Sequence, residues 1–160
     1  MPKKYFWHMY NLKRCKGSFK GLIGECLFKL TDRSVIVTRF FNKQKYLQIF
    51  NGYIHPEQLA FIEKYWFSID AIRVDLKSKK ACLYEVKTRN KRESFKPHWK
   101  TTMTQATSDI YTKALFLGFE VKIATVWLFD NWNYAVEFED FERAEYHIDK
   151  PKPYDRQGAL

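Results

Sequence analysis

Near the start of the chain, apolar residues recur at helical spacing. Phe19, Leu22, Ile23, Cys26, Leu27 and Leu30 follow the i, i+3, i+4, i+7 rhythm of one buried face, which predicts a helix from Gly17 or Ser18 to about Leu30. Gly21 and Gly24 lie inside it and are read as marks of close packing. Ser34 to Phe41, rich in Val, Ile and Thr, predicts a strand, and Lys43 to Tyr53 a second, less regular one. Pro56-Glu57 opens a short helix, with proline near the first turn and an acid beside the positive helix end. Leu59, Phe61-Ile62 and Tyr65-Trp66 supply its buried stripe.

A β-hairpin follows over roughly 68–76 and 81–88, turning through Lys77-Ser78-Lys79-Lys80. Residues 87–100 are strongly basic, contain Pro97, and predict a loop beside the hairpin. A helix is expected from about Trp99 to Leu117, with Gly118 as its stop. Phe119 to Phe129 is the most hydrophobic strand, and Trp132 to Phe138 follows it across Asp130-Asn131. Residues 1–15 are basic and aromatic and predict a strand or an arm, while the two prolines and polar residues of 149–160 read as a loose tail. Helices and strands in this order fit an α/β (α+β) fold, a central mixed β-sheet flanked by helices, in one domain over 1–150 with a flexible tail at 151–160.

Composition narrows the class. A chain of 160 residues, 46% hydrophobic and 18% aromatic, can bury a real core and does not read as disordered, so most of its aromatics should fill that core. Lys and Arg outnumber Asp and Glu by 28 to 18, a net charge of +10. Such a surface suits a polyanion, with a phosphate backbone the commonest case and strong salt dependence expected. Anionic membranes and acidic proteins satisfy charge alone. No stretch reaches the apolar length of a membrane span, and the N-terminus lacks the apolar region of a signal peptide, so the chain reads as intracellular.

The three cysteines, Cys15, Cys26 and Cys82, form no CxxC and suggest neither a zinc site nor a disulfide framework. Cys26 and Cys82 read as small core residues, and a reducing compartment disfavours a Cys15–Cys26 bridge. His8, His55, His98 and His147 are scattered without the spacing of a metal pair. Lys20-Gly21-Leu22-Ile23-Gly24 is too short for a phosphate-binding Walker loop.

One constellation carries chemistry. Glu85 and Lys87 are two apart on a predicted strand and share a face, with Val86 opposite. With Asp70 across from them on the neighbouring strand, two carboxylates and an ammonium converge. Divalent-metal hydrolysis of a phosphodiester needs that set: oxygen ligands for the ion, a positive group beside the attacking water, and neutralisation of the charge that repels the nucleophile. Asp75 is a rival, but it falls on the opposite face from Asp70 and beside the basic turn. Arg89, Lys91, Arg92, Lys96 and Lys100 follow directly and suit flanking phosphates.

Asp70, then Glu85-Val86-Lys87 on the next strand, then a helix and another strand, resembles the PD-(D/E)xK nuclease superfamily. Ile69 stands at the proline position, a common substitution. The small size and the basic, aromatic-rich composition also resemble nucleases of archaeal filamentous viruses. The resemblance covers roughly residues 17–129 and implies a restriction-endonuclease-like core. It implies Asp70 and Glu85 as ligands of Mg²⁺ or Mn²⁺, and Lys87 as the group that positions or polarises the attacking water. Many members add a Glu from the first helix, which here is Glu25; its alternative is a solvent-facing residue or a partner of Lys29. A Gln or Tyr on the later helix often lines the site, with Gln105 and Tyr111 available. Six residues apart, they do not share one face cleanly, and the alternatives are a surface Gln105 and a core Tyr111.

The implied activity is a metal-dependent deoxyribonuclease acting on double-stranded DNA, with metal-bound water as nucleophile, no organic cofactor, and homodimerisation as in related nucleases. A viral origin would place it in the host cytoplasm. The alternative is a non-enzymatic nucleic-acid-binding protein, a viral regulator or a degenerate nuclease. It explains the charge and aromatics equally, but not the acids clustered with Lys87.

Overall fold

The computed structural model describes residues 17–90, 101–129, 133–142, 144 and 146–149. Helix α1 (Gly17–Thr31) leads into the short strand β1 (Ile36–Val37), then helices α2 (Lys43–Phe50) and α3 (Pro56–Tyr65) and a single 3₁₀ turn, Trp66–Ser68. The hairpin is β2 (Ala71–Asp75) and β3 (Lys80–Asn90). Strand β4 (Thr101–Thr104) runs into α4 (Gln105–Phe116), followed by β5 (Glu120–Leu128), β6 (Tyr134–Asp140) and β7 (Tyr146–Asp149). One five-stranded sheet has the order β1-β2-β3-β5-β6, antiparallel except for the parallel pair β3/β5, and β4 pairs in parallel with β7 as a second sheet. The α+β class with a mixed sheet flanked by helices is therefore the observed one. Among the described residues no helix is long and apolar enough to cross a membrane.

Strand alternation divides the core in two. Leu83, Ile72, Val121 and Ile123 pack with Leu47 and Phe50 of α2, Phe61 and Ile62 of α3, and Tyr111 and Ala114 of α4. Cys82, Tyr84, Val86, Ala71, Ala124 and Val126 pack with Phe28 of α1 on the other side. The Phe28 and Tyr84 rings meet edge to face with centroids 5.1 Å apart. Gly24 of α1 lies so close to β3 that an added Cβ would fall 1.8 Å from Thr88 Oγ1, so close packing holds there, whereas nothing approaches Gly21 within 4 Å.

Several local expectations are corrected. Lys43 to Tyr53 is not a strand but α2, because Asn42 caps it by accepting the Lys45 N–H at 3.0 Å, and Leu47 and Phe50 fall on one helix face toward the core. The strand expected over Ser34–Phe41 shrinks to two residues, since the Phe40 N–H turns back to Val37 O at 3.1 Å. The later helix starts at Gln105, not near Trp99; Thr104 caps it by accepting the Thr107 N–H at 3.2 Å, and Thr101–Thr104 is strand. Residues 87–90 continue β3 rather than opening a loop. Cys26 is exposed, not core, while Cys82 is buried. Asp149, expected in the tail, ends β7. Residues 1–15, with Cys15, the basic run 91–100 and residues 150–160 lie outside the described residues.

The hairpin, the Pro56 helix with its His55 cap, and β5 follow their patterns. Gly118 stops α4 with a φ of +85°, which only glycine adopts without strain.

Candidate active site

The buried apolar alternation of β3 ends at Leu83, and the next two residues on that face are Glu85 and Lys87. Glu85 is 7% exposed and pairs with Lys87, whose Nζ lies 2.8 Å from Glu85 Oε1. A carboxylate this buried requires a partner, and the strand period provides one two residues on.

Asp70 stands one residue before β2, where the register Ala71↔Tyr84 leads it to Glu85. Its Oδ2 accepts the Val86 main-chain N–H at 2.8 Å. Its backbone is held from the other side: the Thr38 N–H donates to Asp70 O at 3.1 Å, and the Thr38 hydroxyl donates to Ile69 O. Thr38 is fixed in turn by Trp66 Nε1, which donates to Thr38 O at 3.2 Å. Burial, then the neighbouring Glu85 charge, push the Asp70 carboxyl up to about 8, against the opposing Val86 N–H bond. Asp75, the rival, is exposed and closes the hairpin turn, accepting from Lys77 N at 2.9 Å and Ser78 Oγ at 2.8 Å.

Glu25 is buried on α1 and feels the charge of Glu85. Its ion partner is Arg39, with Nε 3.4 Å from Oε2, too poorly aligned for a hydrogen bond, so that oxygen has no hydrogen-bond partner. Burial raises its pKa, and Arg39 opposes the rise. Lys29, the sequence alternative, donates instead to Arg33 O and Val35 O. Gln105 is exposed and donates from Nε2 to Asp109 Oδ1 at 2.8 Å along its own helix, so it is not brought to the carboxylates.

Tyr111 is fully buried and donates from its hydroxyl to Tyr84 O at 3.1 Å. Burial, then the charges of Glu85 and Asp70, hold its phenol well above the ordinary value. It is a core residue whose polar tip touches the underside of the site, a position the sequence left open between core and site. Its signal was the phenol hydroxyl carried on the buried stripe Ser108, Tyr111, Ala114 of its helix. Arg39 was not foreseen, because an exposed Arg in a β-like run carries no local mark. Arg89 is partly buried and shares the Glu85–Lys87 face by strand parity; burial, then the Arg89 charge, lower the pKa of Lys20. Lys91, Arg92, Lys96 and Lys100 lie outside the described residues.

Among the described residues, no three His, Cys, Asp or Glu side chains are grouped closely enough to hold a metal ion. The donor chemistry nonetheless fits a divalent cation on two carboxylates. Mg²⁺ is commonly held by one or two carboxylates, with water and substrate phosphate completing its shell. Such an ion would relieve the Asp70–Glu85 repulsion, which adds to burial in raising the Asp70 pKa. No protein-family model, curated protein or solved structure matches this chain.

Proposed function

We propose that this protein is a metal-dependent nuclease that hydrolyses DNA phosphodiester bonds, with Asp70, Glu85 and Lys87 at its centre. The observation that carries the reading is the meeting of Asp70 and Glu85 across the hairpin, with Lys87 2.8 Å from Glu85. After the short β4, the Lys87 strand is followed by helix α4 and then by β5, parallel to β3, which supports the PD-(D/E)xK resemblance and its restriction-endonuclease-like core. The net charge of +10 supports a phosphate-backbone substrate.

Asp70 and Glu85 would hold Mg²⁺ or Mn²⁺, which when bound neutralises phosphate charge and makes water a stronger acid. Asp70 must give up its proton to serve as a ligand, and Val86 N–H keeps Oδ2 aimed while it does so. Lys87 supplies a fixed positive charge where negative charge develops on the phosphate oxygens. Arg89 and Lys20 extend that positive field along the backbone. Tyr111, kept protonated, supports the strand carrying Glu85 through its bond to Tyr84 O.

A second reading, a nucleic-acid-binding protein without catalysis, is favoured by the Lys87 ammonium already occupying Glu85 Oε1. One experiment separates the two. Linear and supercoiled double-stranded DNA are incubated with Mg²⁺, Mn²⁺ or EDTA, using wild type and Glu85→Ala. Metal-dependent cutting that the variant loses, with DNA binding retained, is the expected result. Full activity in Glu85→Ala rejects the site, and binding without cutting under every metal selects the second reading.

A further inference from the structure

Phe67 lies on the 3₁₀ turn three residues before Asp70, and 86% of its surface is exposed. Three residues of chain span at most about 10 Å, so its ring stands within a nucleotide or two of a phosphate bound at Asp70. A phenylalanine this exposed contributes almost nothing to the core, whereas its neighbours Trp66 and Ile69 are fully buried. The turn is not loose. Trp66 Nε1 donates to Thr38 O, and Thr38 also binds the backbone of Ile69 and Asp70, so the turn is hydrogen-bonded to the segment that carries the site.

Two further side chains belong to the segment that binds this turn. Phe40, on the turn just after Thr38, is 48% exposed. Lys43 Nζ lies 5.8 Å from the centroid of the Phe67 ring. Aromatic faces interleaved with cations beside a phosphate site are the pattern that binds unpaired nucleotides: bases stack on rings, and ammonium groups follow the backbone. A fully paired duplex hides its base faces and has no use for such a platform.

We propose that Phe67 stacks against an unpaired DNA base next to the scissile phosphate, so that the preferred substrate carries a single-stranded overhang or branch at the cleavage point. This rests on the nuclease reading for the identity of the substrate. Phe67 is a specificity residue and does not take part in the chemistry.

The test uses the full chain in EDTA, so that binding is read without turnover. Two fluorescent DNA hairpins are compared, one blunt and one with a single-stranded overhang, against wild type, Phe67→Ala and Phe67→Trp. Because Phe67 is exposed, neither variant disturbs packing. Wild type should bind the overhang hairpin more tightly. Phe67→Ala should weaken that binding about tenfold, the scale of one lost base stack, and leave the blunt hairpin unchanged, while Phe67→Trp should restore it. Equal binding of the overhang hairpin by wild type and Phe67→Ala overturns the proposal. So does an equal loss on both hairpins, or a shift from dimer to monomer in Phe67→Ala with DNA binding unchanged, which assigns the face to self-association. Metal-dependent cutting by wild type alongside any of these leaves the nuclease reading standing. Failure of wild type to bind or cut either hairpin removes both.

Discussion

The Val86 main-chain N–H donates to Asp70 Oδ2 at 2.8 Å, although the Val86 side chain faces the opposite core from Glu85 and Lys87. One strand segment therefore does two things. Its side chains at 85 and 87 form the charged face, and the amide between them aims the acid of the neighbouring strand.

That arrangement leaves a pH signature. The folded-state pKa of Asp70, about 8, lies above the ~3.9 of an unfolded Asp, so the folded chain holds an extra proton between about pH 4 and pH 8. The stability linked to that proton is fully present below about pH 4 and is lost as pH rises through 8. Asp70→Asn, which cannot ionise, should gain stability relative to wild type as pH goes from 5 to 9 in EDTA. Urea denaturation of both proteins at the two pH values measures this. Parallel shifts in the two proteins contradict it.

Lys87 should matter for catalysis and also for stability, because the buried Glu85 loses its partner with it. Lys87 is partly exposed, so Lys87→Met keeps the apolar stem and removes only the charge. Cleavage of supercoiled DNA in Mg²⁺ should fall by about 10²-fold or more, the usual effect of losing one preorganised charge at a transition state. The far-ultraviolet circular dichroism should be unchanged. A variant that cuts at the wild-type rate would exclude Lys87 from the chemistry.

Gly24 should tolerate no side chain. A Cβ there meets Thr88 Oγ1 at 1.8 Å and Thr88 Cβ at 3.0 Å, and a rotated Thr presents its methyl instead. Gly24→Ala should cost about 1–3 kcal/mol by forcing α1 off β3. Adding Thr88→Ala should recover part of the loss, and a double-mutant cycle in urea gives the coupling. Because Glu25 follows Gly24 directly, the single variant should also lower cleavage.

The basic residues beyond Lys87 should set salt dependence. Replacing Arg89, Lys91 and Arg92 together by Gln removes up to three phosphate contacts. The slope of log K against log[salt] for duplex DNA should become shallower by about 2.7, at 0.9 per contact. An unchanged slope places the DNA surface elsewhere.

Legibility of the fold followed the range of the forces involved. The hairpin and β5 were readable because their largely apolar runs are buried on both faces of the sheet, and the Pro56 helix because its proline and acid act within one turn. Lys43–Phe50 was misread as strand, since a single capping Asn and two buried residues make a weak local pattern that packing resolves. Strands β4 and β7 were missed because Thr101↔Tyr146 pairing joins segments far apart in sequence.

The sequence by itself determined that Glu85 and Lys87 share a face, because side chains two apart on a strand point the same way; their ion pair at 2.8 Å came from the structure. The sequence also favoured Asp70 over Asp75, because the mostly apolar run 71–74 puts Asp70 near the strand start while Asp75 sits beside the basic turn. Only the tertiary structure decided that Glu25 faces Arg39, that Gln105 turns to Asp109, and that the Tyr111 hydroxyl lies beneath the carboxylates. Those contacts join separate elements, and their geometry depends on how helices settle onto the sheet, which no local spacing encodes.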